Sequence, residues 1–190
     1  MSTMYKTLPR PALCTLALAA WLALAGSALA ADDSVDVGNR VPSADDIQQG
    51  LFPDDECEQL KAAGFKCMGF KPPVRFSLPA VSFKIGSAEL PEVVMRQLDA
   101  FANVLRNRRS TDRKVRVEGH ADASGDPAVN QDLSQRRADA AKQYLVGKGV
   151  NPELINAVGL GAKAPKDARN PTAAENRRVV IGRDGEPGQP

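Results

Sequence analysis

The chain has 190 residues, a formal net charge of +2 and one histidine, and 43% of its residues are hydrophobic. This length fits one domain with short extensions. The basic residues are scattered rather than clustered, which argues against nucleic-acid binding, and one histidine with three cysteines is a poor ligand set for zinc.

The first 30 residues have the composition of an export signal. Lys6 and Arg10 supply positive charge, residues 13–25 are almost wholly apolar, and residues 28–30 read Ala-Leu-Ala, a small-x-small cleavage site. The alternative is an uncleaved membrane anchor, because residues 11–30 form an uncharged run about as long as a bilayer span. We expect a signal peptide over residues 1–30, because the apolar stretch is short and the cleavage site follows it.

Residues 31–42 are polar, and we expect them to form a flexible segment, called the lead. Residues 43–75 are expected to form a short helical segment, called the arm, which begins at the N-cap candidate Ser43. The arm carries Cys57 and Cys67. Signal cleavage would remove Cys14 and leave these two. An even number of cysteines in an oxidising compartment favours a disulfide; free thiols and a metal are the alternatives. The arm has few large apolar residues, so we expect it to dock on the next domain or to act as a stapled arm.

We expect no membrane span after signal cleavage. No later apolar stretch is long enough for a spanning helix. The roughly 45 residues between the signal and the next segment are also too few for the smallest outer-membrane barrel, which needs eight strands of about ten residues each.

Residues 78–182 are expected to form an α+β domain. Alternating apolar and polar residues predict four strands, over residues 81–85, 114–118, 154–158 and 177–181. Helical spacing predicts two helices, one opened by Pro91 and one capped by Ser134. The order βαβαββ predicts one small mixed sheet covered by helices on one face. Residues 183–190 are rich in Gly and Pro and are expected to be a disordered tail.

The most informative stretch joins the second strand to the second helix. Residues 115–122 read Val-Arg-Val-Glu-Gly-His-Ala-Asp and residues 130–137 read Asn-Gln-Asp-Leu-Ser-Gln-Arg-Arg. The first places Asp122 just after a strand, and the second places Arg137 in the first turn of a helix, where N–H groups favour an anion. Arg offers a planar fork to a carboxylate, and Asp offers acceptors to an ammonium. The pair therefore suits a zwitterion; a direct salt bridge between the two residues is the alternative.

Both stretches resemble the OmpA-like peptidoglycan-binding domain, whose pattern reads roughly V-x-V-x-G-H-T-D-x-x-G-x-x-x-Y-N-x-x-L-S-x-x-R-A. The resemblance runs from about Phe83 to Ile181 and includes Gly159-x-Gly161 and the closing Asn176-Arg177-Arg178-Val179. It implies an exported, non-catalytic module, associated with the cell wall in the periplasm or at the outer membrane. The implied ligand is the diaminopimelate side chain of the wall peptide, and no cofactor or metal is implied.

The resemblance implies that Asp122 accepts hydrogen bonds from the ligand's ammonium and that Arg137 binds its carboxylate. Both side chains are expected near the surface. Five further residues are expected around the ligand: Leu133 against its methylene chain, Asn130 mainly as a loop-fixing residue, and Ile85, Gly86 and Ala121 on the rim. Arg177 and Arg178 are expected in structural ion pairs, with Arg178 as a secondary ligand candidate. His120 is expected to be structural.

Departures from the family pattern leave the affinity open. Ala121 replaces a Thr, Gly86 an Asp, Ile85 a Phe and Val129 a Tyr. These changes spare the charge pair but could weaken binding. The second hypothesis is therefore a protein–protein adaptor that contacts an envelope protein through residues 43–75.

An enzyme is the third and least favoured hypothesis. A nucleophilic site would have to use the single His120 as its base. The carboxylates of Asp122 and Asp126 share a loop, which is weak evidence for acid–base catalysis.

Overall fold

The computed structural model describes residues 33–66, 71–79, 83–109 and 113–185. The strands are β1 (Val35–Asp36), β2 (Phe76–Leu78), β3 (Val115–Gly119), β4 (Ile155–Gly159) and β5 (Val179–Arg183), and the α-helices are α1 (Ala44–Leu51), α2 (Pro53–Ala62), α3 (Glu92–Leu105) and α4 (Pro127–Gly147). Short 3-10 turns cover Pro152–Leu154 and Ala174–Asn176. None of the helices in these ranges is long and apolar enough to cross a membrane.

The strands form one mixed sheet in the order β1-β2-β5-β3-β4. β1 runs parallel to β2 and β3 runs parallel to β4, whereas β5 is antiparallel to both of its neighbours. From β2 onward the α-helices and strands follow the order βαβαββ, so the predicted α+β fold is confirmed. Helix α4 packs on β3 and β4, and α3 packs on α4.

The core lies between the helices and one face of the sheet. The helical stripe predicted for α3 is fully buried, and so are the inward-facing valines of β3. The residues concerned are Val94, Leu98, Phe101, Leu105, Val115 and Val117. Their periods of about 3.6 and 2 residues explain why the sequence located them correctly.

The arm is part of this core. The Ser43 cap is confirmed: its side chain accepts from Asp46 N, and the Asp46 carboxylate accepts from Ser43 N. Ile47 and Leu51 of α1 are fully buried, and Phe52 lies with them. Cys57 lies in α2, but Cys67 falls outside the described residues, so the disulfide stays a prediction.

The flexible lead expected over residues 31–42 is wrong for its central part. Val35 N donates to Arg75 O over 2.7 Å and Val37 N donates to Ser77 O over 3.0 Å, so β1 extends the sheet beside β2. A strand of two residues has no alternation that a sequence pattern could display. Residues 1–32 and 186–190, which include the signal peptide and most of the tail, lie outside the described residues.

Two predicted boundaries are wrong. The first strand was expected at residues 81–85, but the strand that pairs with β5 is Phe76–Leu78. Residues 81 and 82 lie outside the described residues, and residues 83–86 form a bend and a turn that leave Ile85 84% exposed. The second helix was expected to begin at Ser134, but it begins at Pro127. Asp126 caps it by accepting from Ala128 N over 2.8 Å and from Val129 N over 3.1 Å.

Two glycines bring α4 into backbone contact with the sheet. A Cβ at Gly119 would lie 1.9 Å from Ser134 O, and one at Gly159 would lie 2.4 Å from Gln135 N. The Ser134 hydroxyl donates to Gln131 O over 2.8 Å and accepts from Gly161 N over 2.7 Å. Ser134 therefore ties the turn after β4 to the middle of the helix instead of capping it.

Side chains of α4 also cover the edge of the sheet at β4. The Gln135 amide accepts from Gly159 N over 2.7 Å and donates to Ala157 O over 3.2 Å. Gln131 donates to Gly159 O over 2.6 Å, and Lys142 donates to Ile155 O over 2.8 Å. These bonds occupy outward-facing backbone groups that would otherwise be open to pairing with another chain.

A buried carboxylate lies on the sheet face away from the core. Glu118 is 2% exposed, and its oxygens lie 2.5 Å from Arg75 Nη2, 3.1 Å from Arg116 Nε and 3.4 Å from His120 Nε2. Burial opposes ionisation of Glu118, but His120 and Arg75 outweigh it and hold its pKa below 4.5. Because Arg75 also binds Asp33 over 2.6 Å, this cluster joins the lead to β3.

We expect Gly119→Ala to destabilise the fold by about 2–3 kcal/mol, because the new methyl group would meet helix backbone that cannot rotate away. Gly147→Ala is the matched control, since a Cβ at Gly147 meets nothing within 4 Å. It should leave stability unchanged or raise it by up to about 1 kcal/mol. Urea unfolding measures both. Equal stability of the two variants would show that the close contact is not a constraint.

We expect Glu118→Gln to cost about 3 kcal/mol at pH 7, because it removes one partner of a buried ion pair. The pKa of Glu118 lies below its ordinary value in the folded state. Its stabilising effect is therefore complete above about pH 4.5 and is lost as the pH falls through the folded-state pKa.

The acid-induced loss of stability should accordingly be smaller in the Glu118→Gln variant than in the unaltered chain. Urea unfolding at pH 7 and at pH 3 measures the difference. Glu92→Gln, which touches only an exposed pair with Arg96, is the control and should change stability by less than about 0.5 kcal/mol. An equally steep acid loss in Glu118→Gln would contradict the assignment.

Candidate functional site

Asp122 lies where three segments meet beyond the end of β3. His120 N donates to Arg178 O, Ala121 N donates to Gly161 O and Ala123 N donates to Pro171 O, over 2.8–2.9 Å. These bonds fix the chain on both sides of Asp122 to the loops that follow β4 and precede β5. The carboxylate is thus held by backbone contacts, and its side chain is only 7% exposed.

The Asp122 carboxylate accepts from two residues. Ser124 donates to Oδ1 with its N–H over 3.0 Å and also with its hydroxyl, and Arg177 donates from Nη1 to Oδ2 over 2.7 Å. Burial opposes ionisation, but the hydrogen bonds from Ser124 and Arg177 outweigh it and hold the pKa of Asp122 below 3.8. At neutral pH Asp122 is therefore an anion whose position is fixed.

Arg137 is fully buried, contrary to the expectation that it lies near the surface. It donates from Nε to Ser87 O over 3.0 Å, from Nη1 to His120 O over 2.9 Å and from Nη2 to Lys84 O over 3.4 Å. Its guanidinium carbon lies 4.9 Å from the centre of the Phe83 ring. The guanidinium thus connects β3 to the turn over residues 84–87.

Arg137 is also not in the first turn of its helix. It lies in the middle of α4, which begins ten residues earlier at Pro127, so the helix N-terminus contributes little at its position. Burial is the main cause that lowers the pKa of Arg137 to about 10; the charge of Arg177 lowers it further and that of Asp122 opposes the shift. Arg137 remains a cation at neutral pH.

Asp122 forms its ion pair with Arg177, not with Arg137. The sequence left open a direct Asp122–Arg137 salt bridge. Among the residues that the structure describes, these two do not form one. Arg177 was expected in an ion pair, but its partner could not be named. The two residues are 55 positions apart, and only the pairing of β3 with β5 brings them together.

The remaining predicted residues differ in accessibility. Leu133 and Ala121 are buried, and Asn130 donates from Nδ2 to Ser124 O over 3.0 Å, which fits its expected loop-fixing role. Ile85 is exposed, and Gly86 has a φ of 70°, a conformation that glycine adopts readily. Both lie in the 84–87 turn, two of whose carbonyls accept from Arg137.

Arg178 was the secondary ligand candidate, and that role stays a prediction. Its side chain is fully buried and donates to Ala164 O over 3.2 Å. His120 is fully buried too, with Nε2 3.4 Å from a Glu118 oxygen, as a structural residue would be. In the described ranges, no group of three or more His, Cys, Asp or Glu residues is arranged to hold a metal ion.

Sequence reasoning missed Asn176 as an organiser of the site. This fully buried amide accepts from Asp167 N over 2.9 Å and donates to Asn170 O and Pro171 O, each over 3.0 Å. Pro171 O in turn accepts from Ala123 N. Asn176 thus shapes the loop that holds the chain beside Asp122. Its place in the closing Asn-Arg-Arg-Val motif was the signal that could have identified it.

The chain is similar to several envelope proteins. Outer membrane porin F of Pseudomonas fluorescens is 52% identical over 67 residues, which are 34% of this chain and 21% of the porin. The peptidoglycan-associated lipoprotein of Haemophilus influenzae is 46% identical over 70 residues (36% of this chain, 46% of the lipoprotein). That of Pseudomonas aeruginosa is 35% identical over 101 residues (52% and 58%). The chain thus spans less than two thirds of the length of these curated relatives.

Among solved structures, the peptidoglycan-associated lipoprotein from Burkholderia pseudomallei aligns with a TM-score of 0.48 and 26% identity, over 54% of this chain and 87% of the lipoprotein. The OmpA family model matches residues 82–178, just over half of the 190 residues. The matched range contains Asp122, Arg137 and Arg177. The chain belongs to the OmpA family.

Proposed function

We propose that this chain is a non-catalytic periplasmic module that anchors a complex or envelope layer to the cell wall. It binds peptidoglycan through the diaminopimelate side chain of the wall peptide. The observation that carries the proposal is a fixed, ionised Asp122 next to the cations Arg137 and Arg177. Membership of the OmpA family and the similarity to peptidoglycan-associated lipoproteins support the wall as the target.

The ligand's ammonium and carboxylate have different partners in this proposal. Asp122 supplies acceptors to the ammonium, and Arg137 supplies a planar fork to the carboxylate. Because the Arg137 side chain is fully buried, the ligand's carboxylate can reach it only if the 84–87 turn moves away from the guanidinium. The contact with Lys84 O is the longest that Arg137 makes, at 3.4 Å, so it is the first that a carboxylate would replace.

The contacts proposed for the rest of the ligand follow from exposure. Ile85 is 84% exposed on the turn that must move, and it offers an apolar surface to the ligand's methylene groups once the turn has opened. Leu133, which we also assign to the methylene groups, is buried in the free protein, so a ligand needs some movement of the site to reach it. Asn130 and Ala121 keep the loop in place, through the contacts with Ser124 and Gly161.

An adaptor role for residues 43–75 remains the second candidate. A polar groove of about 820 Å³ lies between α1, α2 and the end of α3, lined by acidic residues such as Asp45 and Glu58 and by arginines such as Arg113. Its mixed charge suits a polar protein surface. This role differs from wall binding in predicting that Asp122→Asn leaves the biological effect of the chain intact.

We expect Asp122→Asn to weaken binding to purified diaminopimelate-type peptidoglycan by about 10- to 100-fold, because a charged hydrogen bond to the ammonium is lost at constant side-chain size. Pull-down of the full chain on purified wall measures this. Asp132→Asn, which alters only an exposed pair with Arg136, should bind like the unaltered chain. Equal binding by both variants would contradict the proposed site.

Arg137→Ala is a poor test of the proposed site. The buried carbonyl of His120 and the partly buried carbonyls of Ser87 and Lys84 lose their donor in this variant. We expect a loss of stability of about 1–3 kcal/mol for the buried group left unsatisfied, and less for each of the other two. Loss of binding would then not separate recognition from folding. Arg137→Lys keeps the charge but loses the fork, and its stability is measured by urea unfolding before any binding assay.

Wall binding should also be lost at low pH, in the range set by the pKa of Asp122. The pKa of Asp122 is held below 3.8, so the carboxylate stays ionised and binding should be undiminished at pH 5. Binding should fall as the pH drops through the Asp122 pKa, because the protonated acid no longer offers a full anion to the ammonium. Pull-down between pH 3 and pH 6 measures this. A loss of binding already at pH 5 would assign it to another group.

A further inference from the structure

Arg177 occupies the position on Asp122 that a ligand's ammonium needs. Its Nη1 donates to Oδ2 over 2.7 Å, while Ser124 donates twice to Oδ1. A carboxylate has about four lone-pair positions, so the protein's own donors already use three of them. An ammonium can bind Asp122 with more than one hydrogen bond only if the Arg177 contact opens.

Arg177 is held less firmly than Arg137. Arg137 has three carbonyl acceptors and an aromatic ring. Within the part of the chain that the structure describes, the Arg177 guanidinium makes one hydrogen bond, to Asp122, and its buried Nε has no acceptor. The two guanidinium groups also repel each other, since the charge of Arg177 helps, after burial, to lower the pKa of Arg137. Arg177 is therefore the cation that can move at lower cost.

We propose that Arg177 is a specificity residue that selects wall peptides carrying both an ammonium and a carboxylate at the same carbon. In the free protein its guanidinium substitutes for the ligand's ammonium on Asp122. When ligand binds, the ammonium takes over Oδ2 and the Arg177 guanidinium turns to the ligand's carboxylate. This inference rests on the proposed function, because it assigns a role within the same site.

The charges explain the selectivity. Asp122, Arg137 and Arg177 together carry a net charge of +1, and a zwitterion adds one charge of each sign. Its ammonium then pairs with Asp122, and its carboxylate lies between the two arginines. A lysine-type side chain brings an ammonium alone. It would displace Arg177 from Asp122 and leave three cations around one carboxylate, which like-charge repulsion disfavours. Arg177 thus acts against ligands that lack the carboxylate.

The test compares two soluble peptides that differ by one carboxylate, L-Ala-γ-D-Glu-meso-diaminopimelate and L-Ala-γ-D-Glu-L-Lys. Calorimetric titration of the full chain should show a preference for the first peptide. Arg177→Met removes the guanidinium and keeps a long side chain, and we expect it to reduce that preference by about tenfold or more, because a charged hydrogen bond to the carboxylate and a repulsion of the lone ammonium are both lost.

Two controls separate the possible failures. Arg136→Met removes an exposed guanidinium from the same helix as Arg137 and should leave the preference unchanged. An unaltered preference in Arg177→Met would overturn the role of Arg177 while leaving the proposed function standing. Failure of the unaltered chain to bind either peptide would overturn the proposed function itself.

The resting contact can be checked without ligand. The pKa of Asp122, measured by carbon NMR of its carboxyl group in the free protein, should rise in Arg177→Met, because Arg177 is one of the groups that hold it below 3.8. Urea unfolding of Arg177→Met shows separately that the variant is folded, because an unfolded chain would also return this pKa to its ordinary value. A pKa equal to that of the unaltered chain would mean that Arg177 does not occupy Asp122 in solution, and the inference would fall.

Discussion

The backbone contact between α4 and the strands β3 and β4 is the constraint on which the site depends. Gly119 and Gly159 have no side chains to separate helix from sheet, and the Ser134 hydroxyl locks the helix to Gly161. Once Ser134 is fixed, Arg137 lies almost one helical turn further along and reaches the carbonyl of His120. Gly119 and Gly159 therefore determine the position of Arg137 indirectly, through the placement of α4.

The same strand couples the arm to the site. Glu118 points to the outer face of β3, where Arg75 connects it to the lead, and the carbonyl of His120, two residues later, accepts from Arg137. A buried carboxylate and a buried guanidinium are each costly alone and stable only when their partners are in place. The five-residue strand β3 thus helps to hold both the arm, through Glu118, and the site, through His120 directly after it.

Periodicity predicted most of the fold, and its failures have physical causes. The buried stripe of α3 and the valines of β3 were correct because their spacing reports burial directly. Residues 74–78 and 81–85 alternate equally well, so the pattern could not choose the strand that pairs with β5. Ser134 looked like a cap, although the Asp126-Pro127 pair was the better signal. For the candidate site, the motif indicated Asp122 and Arg137, but the partner of Arg177 depends on strand pairing that no local pattern contains.

The departures from the family pattern lie around the charge pair and replace neither of its residues. Ala121 lacks the hydroxyl of the usual Thr, but it is buried and held by its own N–H, and Ser124 supplies both a hydroxyl and an N–H to Asp122. Gly86 and Ile85 lie instead on the turn that covers Arg137. In the proposed mechanism that turn must move before a carboxylate can enter. The changes at Gly86 and Ile85 therefore affect how easily the site opens, whereas the ionised Asp122 that would receive the ammonium is already in place.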